Sequence, residues 1–202
     1  MGEHTWQWGA VQVWLHAHQR GERGEPQARL VFGKVLGWAP DALPLRRDAR
    51  GRPRFTSPLS GWDISWSHSG DYLLLALGHG GCLGVDLERE RSRPQLLDLA
   101  QRFFHPSETA VLHTLDVPAQ HALFFRLWCA KEAILKAHGA GIAFGLHRLH
   151  LAEHNGHLIL VECDPALGAA PAWTLYEWQA APGYRAALAW HPFATATPRS
   201  DV

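Results

Sequence analysis

The chain has little lysine, cysteine or methionine and no long apolar run. Among its 202 residues lysine occurs only at Lys34, Lys131 and Lys136, and arginine supplies the other cations. Each lysine therefore needs a reason. The three cysteines, Cys82, Cys129 and Cys163, are odd in number, far apart and without CxxC spacing. That excludes a disulfide framework and a thiolate metal knuckle, and it fits a reducing compartment. No stretch approaches the ~18 apolar residues that span a bilayer, and Met1-Gly2-Glu3-His4 has no basic head leading into an apolar segment. A cytoplasmic protein with no membrane partner is expected. Excess charge of either sign is also missing: Lys+Arg and Asp+Glu stand at 19 each. Partners held by bulk field, nucleic acid above all, are thereby disfavoured. What is present is 47% hydrophobic residues, ten tryptophans among them, which is enough to bury one substantial core or two small ones.

Large apolar side chains recur at near-alternate positions over 6–15, which predicts a half-buried strand. A helix is expected over about 27–36, stopped by Gly37. Residues 40–58 mix Pro, Gly and Ser with Arg46, Arg47, Arg50, Arg52 and Arg54, the composition of a loop. Strands at 63–67 and 72–77 are separated by the turn signal Ser69-Gly70-Asp71, and 82–87 reads as a short buried strand. Helices follow over 95–104 and from Glu108, and the strongest helical pattern runs over 119–137 until Gly139 and Gly141. The rest reads as strands at 146–153, 157–161, 173–179 and 184–190, with Asn155-Gly156 as a hairpin turn. The expected class is α+β. A break near Gly80-Gly81 divides it into an N-terminal lobe, 1–81, and a C-terminal lobe, 82–202.

In Gly84-Val85-Asp86-Leu87-Glu88 a strand's period of two puts Asp86 and Glu88 on one face, where two carboxylates can share a cation. Alone this is weak, since alternating acids are ordinary on edge strands. Trp128-Cys129-Ala130-Lys131-Glu132-Ala133-Ile134-Leu135-Lys136 strengthens it. At 100° per residue Phe125, Cys129, Glu132 and Lys136 form one stripe, while Lys131 falls among Phe124, Leu127, Trp128 and Leu135 in the apolar sector. An ammonium there must snorkel to water or meet a carboxylate or phosphate. For Glu132 and Lys136 the plain alternative is an i,i+4 surface pair. Three hard oxygen ligands (Asp86, Glu88 and Glu132) beside two lysines suit a Mg²⁺-bound polyphosphate, and hence phosphoryl transfer.

These residues fill the pattern GxDxE, then some forty residues on WxxKExxxK, and the chain resembles the 4'-phosphopantetheinyl transferase superfamily, in particular its larger surfactin-synthetase-activating (Sfp) type. Arg102-Phe103-Phe104-His105-Pro106-Ser107-Glu108 is similar to that family's RFFxPxE segment. Gly51-Arg52-Pro53 resembles its GKP motif with Arg52 in place of lysine, Ser67-His68-Ser69-Gly70 its SHSG motif, and Gly139-Ala140-Gly141 the glycines after its long helix. The resemblance implies two similar lobes related by a pseudo-twofold, each a small, mostly antiparallel sheet with a helix, in a monomer. It implies transfer of phosphopantetheine from coenzyme A to a serine of an apo acyl or peptidyl carrier protein, releasing adenosine 3',5'-bisphosphate. Asp86, Glu88 and Glu132 would hold Mg²⁺, and Lys136 and Lys131 would contact phosphates. Arg52, Ser67 and His68, with Arg29 as a further contact, would hold the nucleotide end. The base that takes the serine proton, Glu132 or a water, stays open.

Other readings are weaker. Ser67-His68 is no hydrolase pair, because strand neighbours point to opposite faces and no GxSxG elbow is present. Cys129 reads as a small packing residue. His147, His150, His154 and His157 would cluster on a helix, but the Asn155-Gly156 turn puts them on a hairpin and scatters them. The 46–54 arginines read as a solvated loop rather than a nucleic-acid patch. A protein that binds coenzyme A without turnover is disfavoured by the intact acidic set.

Overall fold

A computed structural model describes residues 4–139 and 141–193. The chain's first three residues and Ala140, the middle of Gly139-Ala140-Gly141, lie outside them. The architecture is α+β with antiparallel sheets. Strands β1 (His4–Trp8), β2 (Val11–Ala17), β5 (Trp62–Ser69) and β6 (Tyr72–His79) form one sheet in the order β1-β2-β6-β5. Helix α1 (Gly24–Leu36) packs on it. The run over 6–15 is thus two strands. Gly9, at φ +54°, turns the chain back, a conformation that alternation of side chains does not reveal.

Two short strands, β3 (Leu45–Arg47) and β4 (Pro53–Phe55), pair within the stretch expected to be loop. Leu45 and Phe55 are buried there and Arg46 and Arg47 project outward, so a few apolar anchors suffice to make a hairpin in a basic segment. Strand β7 (Gly81–Arg89) begins the second sheet, with β10 (Thr174–Ala181) and β11 (Tyr184–Pro192) in the order β10-β11-β7. Helices α2 (Leu96–Phe103), α3 (Pro106–Thr114) and α4 (Val117–His138) lie between β7 and the hairpin β8 (Leu149–His154) and β9 (His157–Cys163). Among the described residues no helix is long and apolar enough to cross a membrane.

Pleating of β7 sets the geometry of everything else. Its odd residues Leu83, Val85 and Leu87 meet Val11, Val13, Leu15, Leu74 and Ala76 of the first sheet, so the two sheets share a core. Its even residues Gly84, Asp86 and Glu88 turn the other way, toward α4. One edge of β7 pairs with β11. Along the other, β5 supplies side chains instead of a strand: Asp63 Oδ2 accepts from Leu83 N at 2.8 Å, Ser65 Oγ from Val85 N at 3.1 Å and Ser69 Oγ from Arg89 N at 3.0 Å. Asp63 and Ser65 thus satisfy amides of β7 that would otherwise be buried unpaired.

Candidate active site

Helix α4 crosses β7 where the strand has no side chain. A methyl on Gly84 would overlap the carbonyl oxygen of Ala133 and the amide nitrogen of Ala137. This close approach brings the next even residue of the strand, Asp86, under the last turns of the helix. Lys136 Nζ donates to Asp86 Oδ1 at 2.7 Å and to Ser67 Oγ at 2.8 Å, and Ser67 Oγ donates to the same Asp86 oxygen at 2.9 Å. Asp86 is 4% exposed, and its Oδ2 is buried without a hydrogen-bond partner. Glu132, one turn before Lys136, is also buried, and Glu88 accepts a longer bond from Ser69 at 3.3 Å.

Three carboxylates here share one close lysine. Burial pushes Glu132 up to about 7, and the neighbouring Asp86 pushes it the same way, with Lys136 opposing. Glu88 is raised by burial and then by Asp86. Excess negative charge in a partly desolvated site, with one oxygen left unpartnered, is what a divalent cation relieves. Among the described residues no group of three or more acidic, histidine or cysteine side chains is placed to hold a metal ion as it stands. Asp86, with its Oδ2 unpartnered, suits a hard cation that takes one or two carboxylates and completes its shell with phosphate and water.

Lys131 requires a correction. It is 0% exposed and lies outside this cluster, so it contacts no ligand phosphate. Its Nζ donates to the Leu146 and Leu149 carbonyls and pairs with Glu108 Oε2 at 2.7 Å, with the Phe104 ring 5.3 Å away. All three ammonium protons have acceptors. The anion demanded by its place on the helix is a carboxylate. Glu108 also accepts from His105 N at the start of α3 and from Leu151 N on β8, so one buried node ties α3, α4 and β8 together. Burial draws Lys131 down to about 8 against the pull of Glu108.

Arg52 is buried as well. It donates Nε to Lys136 O at 2.6 Å, both terminal nitrogens to Asp63 and Nη2 to Leu83 O at 2.8 Å. Arg29 donates to Glu25 and to the Pro40 and Leu43 carbonyls, tying α1 to the following turn. It does not border the cleft next to Lys136. His68 is exposed on the same strand as Ser67 and stacks on His18 at 5.0 Å between centroids. Burial and the adjacent His18 and Lys136 hold its imidazole below the usual range.

Beside Lys136 opens a cleft of about 270 Å³ whose walls include Arg47, Arg50, Arg52, Trp66, Lys136 and Gly139. Arg47 lies over the Trp66 ring at 5.7 Å. Arg47, Arg50 and Arg52 therefore form one wall of a basic cleft that Leu135 and Lys136 border on the other side. Of the four histidines on the later segment, His154 and His157 pair across the β8–β9 turn while His150 stacks on His105 at 4.5 Å. The roles of Glu108, Asp63 and His18 were not foreseen, although Glu108 stands in the RFFxPxE-like segment. The first had a signal, since His105-Pro106-Ser107-Glu108 carries an acid at the third helical position, the place of a capping box.

The profile of the 4'-phosphopantetheinyl transferase superfamily matches residues 82–189. The chain belongs to that family. The matched stretch holds β7 and α4, hence Asp86, Glu88, Glu132 and Lys136, and it leaves out Arg29, Arg52, Ser67 and His68. The 4'-phosphopantetheinyl transferase HetI of Nostoc sp. is 37% identical over 164 residues, 79% of this chain and 65% of the relative. The 4'-phosphopantetheinyl transferase Sfp of Bacillus subtilis is 29% identical over 127 residues, 62% of this chain and 54% of the relative. The chain thus spans between half and two thirds of these relatives' length. The crystal structure of Thermotoga maritima holo-[acyl-carrier-protein] synthase aligns over 55% of this chain and 62% of its own, with 21% identity and a TM-score of 0.45.

Proposed function

We propose that this chain transfers the 4'-phosphopantetheine of coenzyme A to a serine of an apo acyl or peptidyl carrier protein, leaving adenosine 3',5'-bisphosphate. The observation that carries the reading is Lys136, which borders a basic cleft and pairs with Asp86, itself beside Glu88 and Glu132 and with its Oδ2 unpartnered. Asp86, Glu88 and Glu132 would hold Mg²⁺, which when bound supplies charge neutralisation at the pyrophosphate of coenzyme A. Lys136 meets the developing charge on the bridging oxygens, and Ser67 keeps it aimed. His68 with the Arg47 and Arg50 wall receives the nucleotide end, so that the phosphorus bearing pantetheine faces the open side where a carrier serine can approach in line. The serine proton passes to Glu132 or to a water beside the carboxylates.

The same reading treats 1–81 and 82–202 as the two lobes of a monomer that works in the cytoplasm. Incubating the protein with an apo carrier domain, coenzyme A and Mg²⁺ and weighing the carrier tests it. A gain of one phosphopantetheine is expected. No gain on any of several acyl and peptidyl carriers refutes the activity.

A further inference from the structure

Resting on that reading, the geometry points to Arg52 and Asp63 as a positioning pair that fixes Lys136 from across the two sheets, with neither residue contacting coenzyme A. The last carbonyls of a helix have no partner within it and need one from outside. At the end of α4, Leu135 O is taken by Gly139 N, and Lys136 O is taken by Arg52 Nε. An arginine at a helix C-terminus also opposes the negative end of the helix dipole. The backbone of the residue whose ammonium reaches Asp86 is therefore held by a guanidinium from the segment before β4.

Arg52 does not float there. Both of its terminal nitrogens meet the Asp63 carboxylate, at 3.1 and 2.6 Å, and Nη2 also reaches Leu83 O. Asp63 in turn accepts from Leu83 N. Leu83 lies beside Gly84, where strand and helix touch. Four segments, the approach to β4, β5, β7 and the end of α4, thus meet on one buried ion pair, with side chains 7% and 3% exposed. A lysine has neither the planar fork nor enough donors to make these four bonds, so arginine in the Gly51-Arg52-Pro53 turn and aspartate at 63 belong together.

A guanidinium with four of its five N–H groups given to protein acceptors has little left for a ligand phosphate, although its edge borders the cleft. Two variants that never share a ligand should then behave alike. The experiment measures transfer to an apo carrier with coenzyme A and with 3'-dephospho-coenzyme A for the wild type, Arg52→Lys, Asp63→Asn and the double variant. Expected are losses in kcat of ~10-fold for both single variants, the KM ratio of the two co-substrates unchanged, and a double variant no worse than the poorer single one. If Arg52→Lys instead raises KM for coenzyme A alone while Asp63→Asn transfers normally, Arg52 is a phosphate contact and the proposal falls.

Amide hydrogen exchange gives a second readout that needs no turnover. Both variants should lose ~10-fold or more of the protection of the last turn of α4. Unchanged protection there overturns the pairing even if the wild type proves inactive on every carrier, whereas lost protection in an inactive protein upholds the pairing and refutes only the transfer.

Discussion

Two lysines five residues apart on α4 have opposite surroundings. Lys131 is enclosed, its three protons accepted by Leu146, Leu149 and Glu108, in a node that holds three elements together. Lys136 stands in a site left electrostatically open, paired with Asp86 while Glu88 and Glu132 feel its charge from farther off, and with one Asp86 oxygen unpartnered. A satisfied polar node stabilises a fold, and an unsatisfied one invites a ligand. The motif Trp128–Lys136 supplies one of each because α4 is buried on two sides, against β7 and β11 on one and against α3 and β8 on the other.

The largest expected effect lies on the closed side. Lys131→Met leaves the Glu108 carboxylate buried without its cation and should cost about 3–5 kcal/mol of stability by denaturant unfolding. Lys131→Met combined with Glu108→Gln should recover part of that loss. If Lys131→Met melts like the wild type, the contrast between the lysines disappears. On the open side, Asp86→Asn and Glu132→Gln should lower transfer by about 10²–10³-fold, the scale of removing one stabiliser of transition-state charge. The melting temperature of Glu132→Gln should stay level or rise, because it removes a carboxylate that Asp86 repels, and a marked drop would make this residue structural. Gly84→Ala should cost about 1–3 kcal/mol by overpacking and slow transfer as well, since it pushes β7 off α4 and draws Asp86 away from Lys136. Smallest is Cys129→Ala. Cys129 is fully buried on the Glu132 stripe, with a weak bond to Arg185 O and its thiol beside Asp86, so about 1 kcal/mol of stability and less than about a twofold change in transfer are expected.

Much of this was legible in the sequence where local pattern and structure coincide. The period of two on β7 gave Asp86 and Glu88 a common face, and the helical wheel set Glu132 and Lys136 on one stripe and Lys131 in an apolar sector. The wheel could not name the anion, because Glu108 is 23 positions away and meets Lys131 only through the packing of α3 on α4. Arg52 was singled out as a nucleotide contact, but its pairing with Asp63 was hidden for a similar reason. A basic turn reads as solvated unless a partner is known, and Asp63 declares itself only as the first of the alternate polar residues, Asp63, Ser65, Ser67 and Ser69, that face β7. Gly9 and the β3–β4 hairpin were missed because one turn glycine and two apolar anchors carry too little periodicity to count.

Calorimetric titration of coenzyme A into the wild type and Asp86→Ala, with Mg²⁺ and again with EDTA, tests the central claim most directly. The account predicts that tight binding by the wild type requires Mg²⁺, and that Asp86→Ala binds weakly and equally under both conditions. Wild-type binding that is as tight in EDTA as in Mg²⁺ would contradict it.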